Sequence, residues 1–255
     1  MTKNNWTRDE LILAFNLYCK IPFTKINDTY KPVIELSEII GRTPGAVSFK
    51  LANYARLDPA LQRRDVSGLK HGSKGEEEIW NEFHGNWEEL SFESEKLLSQ
   101  YSGKQLEQLS EIETYDLPKE GEEREALVKI RVNQNFFRKT VLTSYSSRCC
   151  ITGIQNPQLL VASHIIPWSE IAEHRMKPEN GLCLNALHDR AFDKGLITIS
   201  DDFKVIISKK IIEDKDEAVK TFFLPFHGKE IIKPNRFVPD ISFLEYHRNK
   251  FAVNF

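Results

Sequence analysis

Apolar residues recur at helical spacing from the start of the chain. Trp6, Leu11, Leu13, Ala14, Phe15, Leu17 and Tyr18 predict a first helix, with Thr7 as N-cap, Glu10 at the capping-box position and Pro22 as its stop. A second helix is expected from about Pro32 to Ile40, with Val33, Leu36, Ile39 and Ile40 on one side and Gly41 at its end. A third opens at Thr43-Pro44, a natural N-cap followed by proline at the first helical position, and runs to about Leu57. Residues 58–75, with Pro59, Gly68, Gly72 and Gly75, read as a loop. Polar-rich helices are expected over 76–83 and 87–98, with further helical signal over 103–112. Pro118 and Gly121 mark a linker across 113–125. A long helix follows from Leu127 to about Tyr145.

The period then changes. The apolar run Leu159–Trp168, halted by Pro167, predicts a strand, and Asn180–Leu184 a turn entering a second one. His188–Gly195 reads as a short helix closed by glycine, and 196–199 with 205–208 as a β-hairpin. The expected fold class is α+β. Its expected parts are a helical domain over 1–75, an acidic helical linker over 76–125 and a strand-containing domain over 126–255.

Composition narrows the function classes. A chain of 255 residues with 40% hydrophobic residues is an ordinary globular one. No apolar run approaches the roughly 20 residues a spanning helix needs, so no membrane partner is expected. The first residues carry no apolar h-region, and the four cysteines form no disulfide framework, so a cytoplasmic protein is expected. The net charge of -2 hides a division: +5 over 1–75, -12 over 76–125 and +5 over 126–255. Either basic end suits a nucleic-acid partner.

The first basic end carries a pattern for one. A helix, a Gly-centred turn and a helix beginning Thr-Pro, over 32–57, resemble a helix-turn-helix. The run Trp6–Leu11 resembles the start of a Myb-like three-helix unit. In such folds the early exposed residues of the last helix meet base edges. Those residues are expected to be Arg42, Ser48, Lys50 and Asn53, with Ala46, Val47, Phe49 and Leu51 packing inward. Arg56, Arg63, Arg64, Lys70 and Lys74 add nearby charge. The alternative is a helical interaction or spacer domain. On the long helix, Arg131, Gln134 and Arg138 share one face, either a plain polar surface or a phosphate-contacting stripe.

The candidate chemistry lies further on. His164 is the only ionisable group at the end of the predicted first strand, Asn180 opens the second, and His188 and Asp193 sit on the short helix. Taken singly, each has an ordinary reading as a polar strand residue, a turn, a helix-terminal residue or a surface charge. Taken in order, His164, Asn180 and His188 match the His-Asn-His signature of the ββα-metal (HNH) nuclease family. The segments Cys150–Gly153, Ala162–Trp168, Asn180–Leu184 and His188–Gly195 resemble its restriction-type subfamily, across about residues 129–210.

The resemblance implies a DNA endonuclease dependent on a divalent cation, Mg2+ or in its place Mn2+. His164 would be the general base, since imidazole titrates near neutrality. Asn180 would hold the strands in register and orient the base. His188 would bind metal, with Asp193 adding a carboxylate. Two departures stand out. Many members place an acidic ligand before the base, where this chain has Ser163. Many also hold a structural zinc between paired Cys-x-x-Cys motifs. Thr152-Gly153 and the isolated Cys183 cannot complete its four ligands, so none is expected. The implied substrate is double-stranded DNA, plain or carrying modified bases, cut by a restriction or defence enzyme, with a homodimer as one route to cutting both strands. The alternative is a DNA-binding regulator whose nuclease-like half is inactive.

Overall fold

The computed structural model describes residues 5–63, 72–110, 112–115 and 117–255. Gly68, Arg64 and Lys70 lie outside these. The chain divides into two compact units, Met1–Thr140 and Val141–Phe255, rather than at residues 75 and 125.

The first unit contains α1 (Arg8–Lys20), α2 (Lys31–Ile40), α3 (Pro44–Ala55), α4 (Lys74–Phe83), α5 (Trp87–Ser102) and most of α6 (Glu122–Ser144). Local signals set the boundaries. Thr7 and Glu10 form the capping box of α1. Gly41 ends α2 at φ 66°, a left-handed conformation that glycine adopts without steric cost. Thr43 caps α3 by accepting from Ala46 N at 3.2 Å. A short helical turn, Pro59–Gln62, interrupts the expected loop.

The acidic segment is a wall of this unit rather than a spacer. Phe15 of α1 stacks on Tyr54 of α3 at 4.9 Å and packs against Trp80 of α4 at 5.2 Å and Trp87 of α5 at 6.2 Å. Phe83, Trp87 and Leu90 are buried with them. The charges of α4 and α5 meet the basic groups of the first three helices. Arg8 bonds Glu82 and Glu93, Lys20 bonds Glu95 at 2.7 Å, and Arg56 bonds Glu77 at 2.9 Å.

This packing corrects the expected DNA-reading face of α3. Lys50 and Asn53 are 7% and 3% exposed, and both bond the buried Glu76, Asn53 at 2.8 Å. The Arg42 side chain is buried against Glu10 at 2.7 Å. Arg42 and Lys50 also lie over the Trp6 ring, at 4.6 and 5.2 Å. Conversely Phe49, expected to pack inward, is 55% exposed. Ser48 is half-buried. The physical reason is the counter-charge on α4, which draws the polar edge of α3 inward.

The second unit is built on an antiparallel ribbon of β1 (Leu160–His164) and β2 (Gly181–Asn185), followed by α7 (Ala186–Asp193). The pair β3 (Ile197–Ile199) and β4 (Val205–Ile207) comes next, then α8 (Glu217–Phe223) and α9 (Ile241–Lys250). Leu160, Leu182, Leu184, Phe192, Ile197, Ile199 and Leu244 form much of its core. Gly195 terminates α7 at φ 63°, and an added Cβ would stand 2.3 Å from the Phe251 ring, so only glycine fits. Among the described residues, no helix is long and apolar enough to cross a membrane.

Candidate active site

The β1–β2 ribbon pairs Leu160 with Asn185 at one end and His164 with Gly181 at the other. Asn180 closes that second end. It is fully buried, its Oδ1 accepts from Ile166 N at 2.8 Å, and its Nδ2 donates to Ile166 O at 3.0 Å and His174 O at 3.1 Å. Its own carbonyl accepts from Ile165 N at 2.9 Å. One side chain thus pins both the strand exit and the turn of the connection, which an amide can do because it donates and accepts together.

His164 stands at this pinned end. Its Nε2 lies 3.0 Å from the Arg175 carbonyl. A carbonyl only accepts, so Nε2 carries the proton and Nδ1 is the basic nitrogen of the neutral ring. The Trp168 ring meets the imidazole edge-on at 5.5 Å. Burial pulls the His164 pKa below its ordinary value, and the bond to the Arg175 carbonyl opposes this in part. Near neutrality the ring is therefore held uncharged.

The preceding residue faces the other way along the strand. Ser163 is 2% exposed and its hydroxyl, beside the Asp189 carboxyl of α7, completes no hydrogen bond of full geometry. Burial raises the Asp189 pKa, which the Ser163 hydroxyl and Arg190 offset in part. Burial and the charge of Asp189 together raise that of Asp193, one helical turn on. Asp189 therefore stands near the Ser163 hydroxyl on one side and the Asp193 carboxylate on the other. Carboxylate and hydroxyl oxygens are donors of the type that a hard divalent cation takes. Asp189 escaped the sequence reading, although its i,i+4 spacing to Asp193 was a visible signal.

His188 does not join that set. Its Nδ1 lies 3.1 Å from Asn185 Oδ1, and its ring sits 5.1 Å from Phe223 and 5.4 Å from Phe226. It is 3% exposed, and its Nε2, near the Phe222 backbone, makes no well-formed hydrogen bond. Burial lowers its pKa to about 4. The ring lines an apolar cleft of about 400 Å³ with Leu159, Leu187 and Phe222. The His188 ring, implied by the resemblance to bind metal, thus sits in an aromatic layer, while Asp189, about 100° further around the helix, neighbours Ser163. Among the described residues no three His, Cys, Asp or Glu side chains converge as a metal cluster.

Cys149, Cys150 and the β2 residue Cys183 are buried thiols outside any disulfide, and Cys150 N donates to Cys183 O at 2.7 Å. Burial and the neighbouring sulfurs raise the Cys150 pKa, which keeps it a neutral thiol. On α6, Gln134 and Arg138 are exposed, while Arg131 is half-buried and bonds the Glu113 carbonyl.

Comparison with known proteins bears on the ribbon and α7. Residues 149–200 match the family model described as HNH endonuclease. No curated protein sequence matches the chain. Among solved structures, a modification dependent TagI restriction endonuclease resembles it at 24% identity, over 45% of this chain and 36% of that one, with a TM-score of 0.29. The chain therefore spans about a third of that structure's length. The matched segment contains the ribbon, Asn180, His164 and α7 and ends just past β3, so residues 149–200 are similar to an HNH endonuclease domain.

Proposed function

We propose that the chain hydrolyses phosphodiester bonds of double-stranded DNA in a cation-dependent reaction, as a restriction or defence nuclease of the cytoplasm. The observation that carries this reading is the neutral His164, its proton fixed on Nε2 by the Arg175 carbonyl and its lone pair therefore on Nδ1, at the end of a ribbon pinned by Asn180. Nδ1 takes a proton from water. The resulting hydroxide oxygen bonds to phosphorus, and the bond from phosphorus to the 3′ oxygen breaks, the 3′ oxygen keeping the electron pair and taking a proton from solvent water. Asp189, Asp193 and Ser163 would hold a divalent cation, Mg2+ with Mn2+ as a substitute, which when bound supplies Lewis-acid stabilisation of the phosphate charge. The two carboxylates also attract and orient that cation while Asn180 keeps the base in place.

Phosphate contact away from the site belongs to groups that reach solvent, namely Gln134 and Arg138 on α6 and Ser48 on α3. Lys50, Asn53 and Arg42 have no such part, because their side chains are bonded inside the first unit. A homodimer would bring two such sites to the two strands. The test is incubation of the protein with modified and unmodified DNA in Mg2+ or Mn2+, with and without EDTA. Cleavage lost on chelation and in His164→Ala supports the reading. Binding without cleavage under every cation favours the regulator instead, a reading that rests on Ser163 standing where an acidic residue is usual.

A further inference from the structure

The connection between β1 and β2, residues 165–180, contains only short helical turns, yet it supplies the group that fixes His164. That group is a main-chain carbonyl, so its position depends on whatever holds the connection in place. Asn180 holds one end. Around Arg175 the main-chain bonds are long, Arg175 N to Ala172 O and Lys177 N to His174 O both at 3.3 Å. The short bond there is made by a side chain: Arg175 Nε donates to Trp168 O at 2.6 Å. A charged donor makes this the stronger restraint. The guanidinium also lies 5.7 Å from the Trp168 ring centre, and that ring abuts His164 edge-on at 86°. The three residues close a ring of contacts: His164 donates to Arg175, Arg175 donates to Trp168, and Trp168 packs on His164.

An arginine beside a phosphodiester site invites a reading as a phosphate clamp. Here the geometry points elsewhere. We infer that Arg175 is a positioning residue: its Nε–H, anchored on Trp168 O, keeps its own carbonyl on His164 Nε2 and so holds His164 in one tautomer. What matters is a donor at that atom, not the positive charge. The tautomer claim stands on the ring of contacts alone, and its effect on cleavage rests on the reading of His164 as base.

The chemistry offers a clean discrimination. Gln carries an amide N–H the same number of bonds from Cα as Arg Nε, without charge. Lys keeps the charge but has no donor at that atom. The test is 15N NMR of the histidine rings in the full chain, with His164 assigned by its loss in His164→Ala. Wild type should show His164 as a single neutral tautomer with a slowly exchanging Nε2–H. Arg175→Ala should bring in the second tautomer and fast exchange, with kcat lower by up to about 100-fold and KM nearly unchanged. Arg175→Gln should restore the wild-type resonances and rate, whereas Arg175→Lys should behave like Arg175→Ala. Wild-type His164 resonances in Arg175→Ala overturn the inference. So does a wild-type-like Lys variant beside a defective Gln variant. If Arg175→Ala fails to fold by circular dichroism, the Gln and Lys pair decides alone. Normal cleavage by His164→Ala would remove the base reading and leave the tautomer result standing.

Discussion

At the scale of single residues, one imidazole and two carboxylates divide the proposed chemistry. His164 spends one ring nitrogen on a carbonyl and keeps the other basic. His164→Ala should lower the cleavage rate by about 10²–10⁴-fold, with an unchanged circular dichroism spectrum. Because burial depresses its pKa, wild-type cleavage should persist below the pH at which a free histidine protonates, and fade as pH falls further. Asp189 and Asp193 repel each other across one helical turn, so a cation held between them would stabilise the fold itself. Mg2+ at about 100 times its Kd should raise stability by about 2.7 kcal/mol in calorimetry without DNA present. Asp189→Asn should abolish that shift, and His188→Leu should retain it. An unchanged shift in Asp189→Asn would place the cation elsewhere.

At the scale of elements, α3 shows what a buried ion pair does to a surface. Burial pushes the Glu76 carboxyl up, but the bonds from Lys50 and Asn53 and the Lys50 charge outweigh it and hold it below its ordinary value. A depressed carboxylate contributes stability above its unfolded pKa, which is lost as pH falls through the folded one. Lys50→Met leaves Glu76 buried and uncompensated, and should cost about 3–5 kcal/mol in urea unfolding. Adding Glu76→Leu should recover most of the loss, since the apolar pair fills the same space. A Lys50→Met variant as stable as wild type would show the pair to be idle.

The same helix marks how far the sequence could be read. Capping residues and glycines are local, so the ends of α1, α2 and α3 were legible to within a few residues. The facing of α3 was not, because apolar and polar positions alternate around it and the deciding partner, Glu76, lies 26 residues further on. At the candidate site, His164 and Asn180 stood out by order and element. Which of the adjacent residues His188 and Asp189 neighbours Ser163, and which the aromatic layer, turned on one step of helical phase, finer than a boundary estimate can resolve.

At the scale of the whole molecule, charge and titration act unit by unit. Met1–Thr140 holds 20 basic and 23 acidic residues, net -3, so the basic first segment is neutralised within its own fold. In Val141–Phe255, His247 is 3% exposed and lies between Thr198 Oγ1 at 2.9 Å and the Phe192 carbonyl at 3.0 Å. Burial lowers its pKa from 6.5 to about 4, against the pull of the Phe192 carbonyl and with that of Lys250 and Arg248. The unfolded chain therefore binds a proton first as pH falls from about 6.5 to 4. Stability from this group is present at neutral pH and should decline by about 3 kcal/mol across that window. Denaturation midpoints measured between pH 7 and 4 should fall, and fall less in His247→Gln. Equal slopes in the two proteins would assign the acid sensitivity to other groups.

The pairing of the first three helices with α4 and α5 has a consequence for biosynthesis. Arg8, Lys20 and Lys50 leave the ribosome some 26 to 85 residues before Glu76, Glu93 and Glu95 do. A nascent chain that stops short of residue 76 holds these cations beside an apolar surface still lacking Phe83, Trp87 and Leu90. Such an intermediate is sticky and cationic at once, the combination that gathers ribosomal RNA and chaperones. Folding of this region is thus delayed until the acidic helices clear the exit tunnel, and a ribosome paused before them would expose the chain at its most aggregation-prone.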